Sequence, residues 1–263
     1  GPGREQRRGL DAQADLGVTE RDLALTLSSF FIAFAVGQLF VGPLSDRFGR
    51  KWLVLGGLAT FIIGSAVCAM APSLDIMILG RVIQALGACA ASVLSRAIAR
   101  DMFEGEALAR ALALVMVAMA AAPGFSPLVG SALGGFFGWP VIFAFVAFFA
   151  AVLGWHYAAT VGETHAPERR APLPVFAVAA AYGRLALDAR FILPALSVSL
   201  VIGCLYTFFA AAPSILISKI GLTSFQLALY FAGTVVIVFS AGFLAPRLAH
   251  RWGAARVALA GAL

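Results

Sequence analysis

The sequence predicts an all-α, polytopic membrane protein, a bundle of helices that cross a lipid bilayer. Three observations predict it. The chain is 61% hydrophobic and only 12% charged, about half the charged fraction of a soluble domain. Its apolar residues fall in long runs, each of roughly the 20 residues that a helix needs to cross a bilayer. The charges gather in the short stretches between those runs. In lipid a backbone must satisfy its own polar groups, so every crossing is expected to be helical.

The expected spans are 23–44, 52–70, 75–98, 108–131, 140–160, 191–217 and 225–246, and an eighth apolar run begins near Ala254. Residues 23–44 and 52–74 carry no charge. Between them lies a tight charged reversal, Gly42-Pro43-Leu44-Ser45-Asp46-Arg47-Phe48-Gly49-Arg50-Lys51, which makes the first two helices antiparallel neighbours. The stretches 45–51, 99–107, 161–190 and 247–253 hold or adjoin most of the Lys and Arg, whereas 71–74, 132–139 and 218–224 contain only Lys219. By the positive-inside rule the first set is cytoplasmic and the first span runs from outside to inside.

That orientation places the polar tail, residues 1–22, outside the membrane together with Arg4, Arg7, Arg8 and Arg21. A tail so basic is a poor candidate for export, so the expectation is that a preceding span is missing and the chain is an internal piece of a longer protein. The expected organisation is a tail at 1–22, a first helical half at 23–161, a central cytoplasmic loop at 162–190 and the start of a second half at 191–263. Pro167, Pro172 and Pro174 mark the joint. Arg47-Phe48-Gly49 and Arg251-Trp252-Gly253 form a weak repeat, consistent with two halves of the same orientation.

Other classes are excluded. The net charge of +6 is spread over short loops and makes no continuous patch for nucleic acid. Cys68, Cys89 and Cys204 lie inside apolar runs and read as small hydrophobes. His156, His165 and His250 lack metal-ligand spacing. Neither a hydrolase elbow nor a phosphate-binding loop is present, so the chain has no enzyme signature and no ATP motor of its own. Energy would come from an ion gradient.

Three constellations stand out. In the first reversal, Gly42, Asp46, Arg47, Gly49, Arg50 and Lys51 are candidates for a cytoplasmic gate, in which a carboxylate pairs with Arg on a neighbouring helix or with a helix N-terminus. The bland alternative is a solvated turn that only sets topology. Arg81 lies within the span 75–98, with Gln84 following one turn later. A buried guanidinium in a membrane costs several kcal/mol unless water or a polar partner meets it, so the pair is a candidate polar switch. Snorkelling toward Asp75 is the competing reading. In the fourth span Pro123, Gly124 and Pro127 are expected to bend the helix, and Gly130 and Gly134 to form a close-packing face, together a candidate pivot. Met116, Met119, Tyr206 and Phe209 are candidate contacts for apolar substrates, although packing alone explains any one of them.

At these residues the chain resembles the major facilitator superfamily, in particular the twelve-span drug/proton antiporters of the bicyclomycin/chloramphenicol-resistance type. Gly42 to Lys51 matches the signature loop between spans two and three. Arg81, Gln84 and Gly87 match the span-four motif, with Ala85 where many members have Gly, and Arg100-Asp101 is typical of the subgroup. Pro127-Leu128-Val129-Gly130 is similar to the span-five antiporter motif, with Ser126 in place of the usual Gly. The resemblance implies six-plus-six helices around a cavity open alternately to each side. It implies a multi-pass inner-membrane carrier, acting as a monomer, that exports apolar or cationic drug-like molecules in exchange for protons and without a cofactor or metal. It also implies that the first span, where acidic coupling residues often lie, and about the last four spans are absent here. An inactive fragment and a carrier for a physiological metabolite remain alternatives at this point.

Overall fold

The computed structural model describes Gly17, residues 19–170 and 175–218, and positions 220–221, 226, 229–231, 233, 240, 244, 248, 251–253 and 256. Among the described residues the elements are helical: α1 (Glu20–Phe48), α2 (Arg50–Ala69), α3 (Leu74–Met102), α4 (Gly105–Phe137), α5 (Trp139–Thr160), a 3-10 turn (Pro167–Arg169), α6 (Val175–Leu187) and α7 (Ala189–Ser218). Five of them contain segments long and apolar enough to cross a membrane: Ala24–Phe48, Arg50–Ala69, Leu74–Met102, Trp139–Thr160 and Ala189–Phe208. The expected span 108–131 lies inside α4, and 225–246 falls mostly outside the described residues.

Helix α1 starts on a capping box. The Thr19 N–H donates to Asp22 Oδ2 at 2.9 Å, and the Asp22 N–H donates to Thr19 Oγ1 at 3.3 Å, which satisfies N-terminal groups left open by helix geometry. The helix ends at Gly49, whose φ of 91° is a conformation that residues with a Cβ rarely adopt. A single residue thus reverses the chain, because α2 starts at Arg50. The same device recurs at Gly138, with φ 85°, between α4 and α5. Gly253, in the repeated Arg-aromatic-Gly triplet, also has φ 85°.

Helices α2 and α3 meet backbone to backbone. A Cβ on Gly64 would strike the Gln84 backbone, and one on Gly87 would strike the Phe61 backbone. Gly57 faces Ala90 and Gly80 faces Cys68 in the same interface. Small residues spaced this way let membrane helices approach closely. Helix α1 packs on α3, and α5 packs on α2. The core between them is Val41, Val54, Leu58, Cys89, Ala90, Leu94, Ala150 and Tyr157. A second cluster, Cys68, Ala71 and Met77 with Trp139 and Phe143, closes the other end. Large apolar side chains such as Trp52, Phe136, Phe148 and Leu200 point outward, as expected where lipid is the solvent.

Two compact units result. One contains the described residues up to Leu108 together with Gly130–Arg184, and the other contains Ala109–Val129 and the described residues from Leu185 onward.

Several connections are shorter than expected. The reversal at 45–51 is helical except for Gly49, the stretch 132–139 is helical except for Gly138, and only Phe103 and Glu104 separate α3 from α4. Hydropathy marks where lipid ends, whereas helical hydrogen bonding continues until a glycine turn or an extended residue stops it. The central segment 162–190 is likewise not irregular throughout: it holds the 3-10 turn and α6.

Candidate functional site

Two polar constellations sit in the first unit. The first is inside the bundle. Arg81 Nη1 donates to Gln84 Oε1 at 2.7 Å, Gln84 Nε2 donates to Ser65 Oγ at 2.8 Å, and Ser65 Oγ donates to the Phe61 carbonyl at 2.8 Å. Gln84 and Ser65 are buried. The chain of donors is directional: Gln84 and Ser65 each give one hydrogen and accept one, so a buried amide and a buried hydroxyl both have partners. The Arg81 guanidinium carbon lies 4.4 Å from the centroid of the Phe30 ring and 6.0 Å from that of Phe143. Attraction to the ring faces offsets part of its desolvation. Among the described residues no carboxylate pairs with Arg81, and Asp75 is exposed rather than bound to it. Gln84 takes one of the five donors of this planar cation.

The second constellation surrounds Gly49. Arg50 is its hub and is buried. Its Nε donates to Asp101 Oδ2 at 2.9 Å and its Nη1 to Asp46 Oδ1 at 2.6 Å; Nη1 also donates to Ser45 Oγ. Two carboxylates from two helices thus compensate one buried guanidinium. Glu163, past the end of α5, closes the cluster from the other side. Its carboxylate accepts the backbone N–H of Arg50 at 2.8 Å and of Lys51 at 3.4 Å, at the N-terminus of α2. It also accepts the His165 N–H at 2.9 Å and lies 3.6 Å from Arg170 Nη2. Partial burial would raise the Glu163 pKa, but the three backbone donors and the nearby Arg170 outweigh it and hold the carboxyl below its ordinary range. A Cβ on Gly49 would run into this carboxylate. A cavity of about 320 Å³ opens beside the hub, lined among others by Gly42, Asp46, Arg96 and Arg100.

The structure therefore joins Asp46, Gly49, Arg50 and the Lys51 backbone, and separately Arg81 and Gln84. Arg47 stays apart: it is exposed, and its guanidinium lies over the adjacent Phe48 ring at 5.2 Å. Of the two partners expected for Asp46, an Arg on a neighbouring helix or a helix N-terminus, the structure has the first, Arg50 at the start of α2, and Glu163 occupies the N-terminus of α2. Of the candidate pivot, α4 is helical throughout, Gly134 is buried and Gly130 is partly exposed; the side chains of Pro123 and Pro127, and Gly124 beyond its helical backbone, lie outside the described residues. Met116, Met119 and Tyr206 are exposed, and the Phe209 side chain lies outside the described residues. Glu163, Asp101, Ser45, Ser65 and Phe30 were not singled out for roles by sequence reasoning. Asp101 and Ser45 lie in stretches already marked by the resemblance, Arg100-Asp101 and the Gly42–Lys51 reversal, and the signal for Glu163 is the Gly-Glu dipeptide, Gly162-Glu163, at the end of an apolar run.

Comparison with known proteins accords with these features. The family model described as Major Facilitator Superfamily matches residues 10–263. The chain is 31% identical over 248 residues to a chloramphenicol resistance protein of Pseudomonas aeruginosa, covering 92% of this chain and 57% of the relative. It is 29% identical over 254 residues to a bicyclomycin resistance protein homolog of Haemophilus influenzae, covering 95% and 64%. It is 29% identical over 154 residues to multidrug resistance protein D of Escherichia coli, covering 59% and 39%. The chain thus spans less than two thirds of the length of these relatives.

Proposed function

The chain belongs to the Major Facilitator Superfamily, and from that premise we propose that the longer protein exports drug-like apolar or cationic molecules from the bacterial cytoplasm across the inner membrane, driven by protons. The observation that carries this reading is the Arg81–Gln84–Ser65 chain, a polar seam inside otherwise apolar helices. Relatives named for resistance to chloramphenicol, to bicyclomycin and to multiple drugs support drug-like molecules as the substrate class.

In this reading Arg81 and Gln84 form the intramembrane switch. Arg81 offers its remaining donors to a substrate carbonyl or to a coupling carboxylate in one state and returns to its aromatic bed in the other. An intramembrane charge is costly, which makes it a functional-site candidate by default. The cluster of Asp46, Arg50, Asp101 and Glu163 is the cytoplasmic gate, holding the α1–α2 turn, the end of α3 and the segment after α5 as one body. Gly130 and Gly134 with Pro123, Gly124 and Pro127 shape the pivot helix. Met116, Met119, Tyr206 and Phe209 contact apolar cargo, and the carrier works as a monomer.

The test is drug accumulation in cells that express the full-length protein, with and without a proton uncoupler. Lower accumulation of chloramphenicol-like drugs, restored by the uncoupler, is the expected result. Accumulation equal to that of control cells for every drug tested contradicts the reading.

A further inference from the structure

Pro43 sits inside α1, and a proline there removes one helical hydrogen bond because it has no N–H. The carbonyl left without its donor is four residues back, at Leu39. Leu39 and Phe40 are exposed, on a face that lies within a membrane-spanning helix. A bare carbonyl in lipid costs several kcal/mol, so the question is what meets it. The structure gives a definite partner: Tyr182 Oη donates to the Leu39 carbonyl oxygen at 2.7 Å, across 143 residues of sequence.

Tyr182 belongs to α6, thirteen residues in the central segment, too short to cross a bilayer. The helix presents Val178, Ala179 and Tyr182 to Leu39, Pro43 and Leu44, around an apolar cavity of about 280 Å³. The same end of α1 leads to the gate. Ser45 Oγ donates to the Gly42 carbonyl at 2.8 Å and accepts from Arg50. The proline-weakened turn is therefore held from one side by the charged hub and from the other by the tyrosine.

We propose that α6 is a clasp on α1: the Tyr182 hydroxyl replaces the hydrogen bond that Pro43 cannot make, and so the central segment sets how freely the Leu39–Pro43 turn flexes beside the Gly42–Lys51 reversal. When α6 is docked the turn is fully bonded and stiff. When α6 leaves, the Leu39 carbonyl loses its donor and the turn becomes the soft point of α1. The clasp does not depend on the identity of the cargo. It predicts a specific logic between two residues: Tyr182 matters because position 43 is proline, and ceases to matter when position 43 can donate.

Amide hydrogen exchange across residues 36–48 of the full-length protein in lipid nanodiscs tests this. Tyr182→Phe removes one oxygen at a partly exposed position and is expected to fold. Loss of one hydrogen bond should speed exchange in that stretch by about two- to tenfold. In a Pro43→Ala background the Leu39 carbonyl regains its own donor, and adding Tyr182→Phe should leave exchange unchanged. Exchange in Tyr182→Phe equal to that of the unmodified protein overturns the clasp. An equal acceleration in both backgrounds also overturns it, because the hydroxyl would then act somewhere other than the proline-freed carbonyl.

Discussion

The carboxylate of Glu163 accepts the backbone N–H of Arg50 at 2.8 Å, across 113 residues of sequence. Helix α2 therefore starts on a cap supplied by another part of the chain. The residue before it, Gly49, has no side chain to offer and makes no capping hydrogen bond of that kind. A negative group at a helix N-terminus is favourable both to the free N–H groups and to the helix dipole.

Glu163→Ala should lower stability by about 1–2 kcal/mol, read as a lower midpoint of thermal unfolding in detergent. The pH dependence follows from the lowered pKa of Glu163. A carboxyl with a depressed native pKa contributes fully above its ordinary range and loses that contribution as pH falls through the native value. The gap between the unmodified protein and Glu163→Ala should thus be constant from pH 8 to 6, on the order of what the ordinary carboxyl range sets, and should close only in stronger acid. A gap that closes near neutrality would contradict the capping role.

Gly49→Ala should be more damaging than a simple loss of a turn glycine. The position has φ 91°, and a Cβ there meets the Glu163 carboxylate and, at 2.9 Å, Arg170 Nη2. The expected cost is about 1–3 kcal/mol from backbone strain and displacement of the cap. Combining it with Glu163→Ala should cost less than the sum of the two, because the second change removes the group that the first one strikes. Unfolding midpoints of the three variants measure this.

Within α2, Gly64→Ala and Gly56→Ala form a matched pair. A Cβ at Gly64 strikes the Gln84 backbone, whereas one at Gly56 meets nothing within 4 Å. The first should force α2 and α3 apart and sharply reduce the yield of folded protein. The second should be neutral or slightly stabilising, since Ala is the better helix former by about 1 kcal/mol. Equal yields of both variants, measured by size-exclusion chromatography, would contradict the close approach.

Gln84→Leu should take the acceptor from the Arg81 guanidinium, while the Ser65 hydroxyl loses a donor but keeps its own bond to the Phe61 carbonyl. Ser65→Ala leaves only the neutral Gln84 amide N–H without its acceptor, and a charged group left unpaired costs more than a neutral one, so Gln84→Leu should unfold at a lower temperature than Ser65→Ala. The same midpoint for both variants would show that Gln84 does not bridge.

The spans were legible because lipid demands unbroken apolar runs: the expected 23–44, 52–70, 75–98 and 140–160 lie within or nearly within α1, α2, α3 and α5. Helix ends were less so. Phe136 and Phe137 continue α4 beyond the run read from hydropathy, and the helix stops at Gly138. Arg81 and Gln84 could be read together because they are one turn apart on one helix. Phe30, Ser65 and Glu163 could not, since their partners come from other helices and no spacing in the sequence encodes such a meeting. The weak triplet repeat, Arg47-Phe48-Gly49 and Arg251-Trp252-Gly253, has a physical counterpart in the positive φ of both glycines.

Arg81 is the residue on which the proposed transport most depends. Uptake of a fluorescent cationic drug into inverted membrane vesicles carrying the full-length protein, driven by an imposed proton gradient, tests it directly when the unmodified protein is compared with Arg81→Ala at matched membrane levels. The variant should insert normally, and its gradient-driven transport should be abolished. Transport at the unmodified rate by well-inserted Arg81→Ala would contradict that dependence.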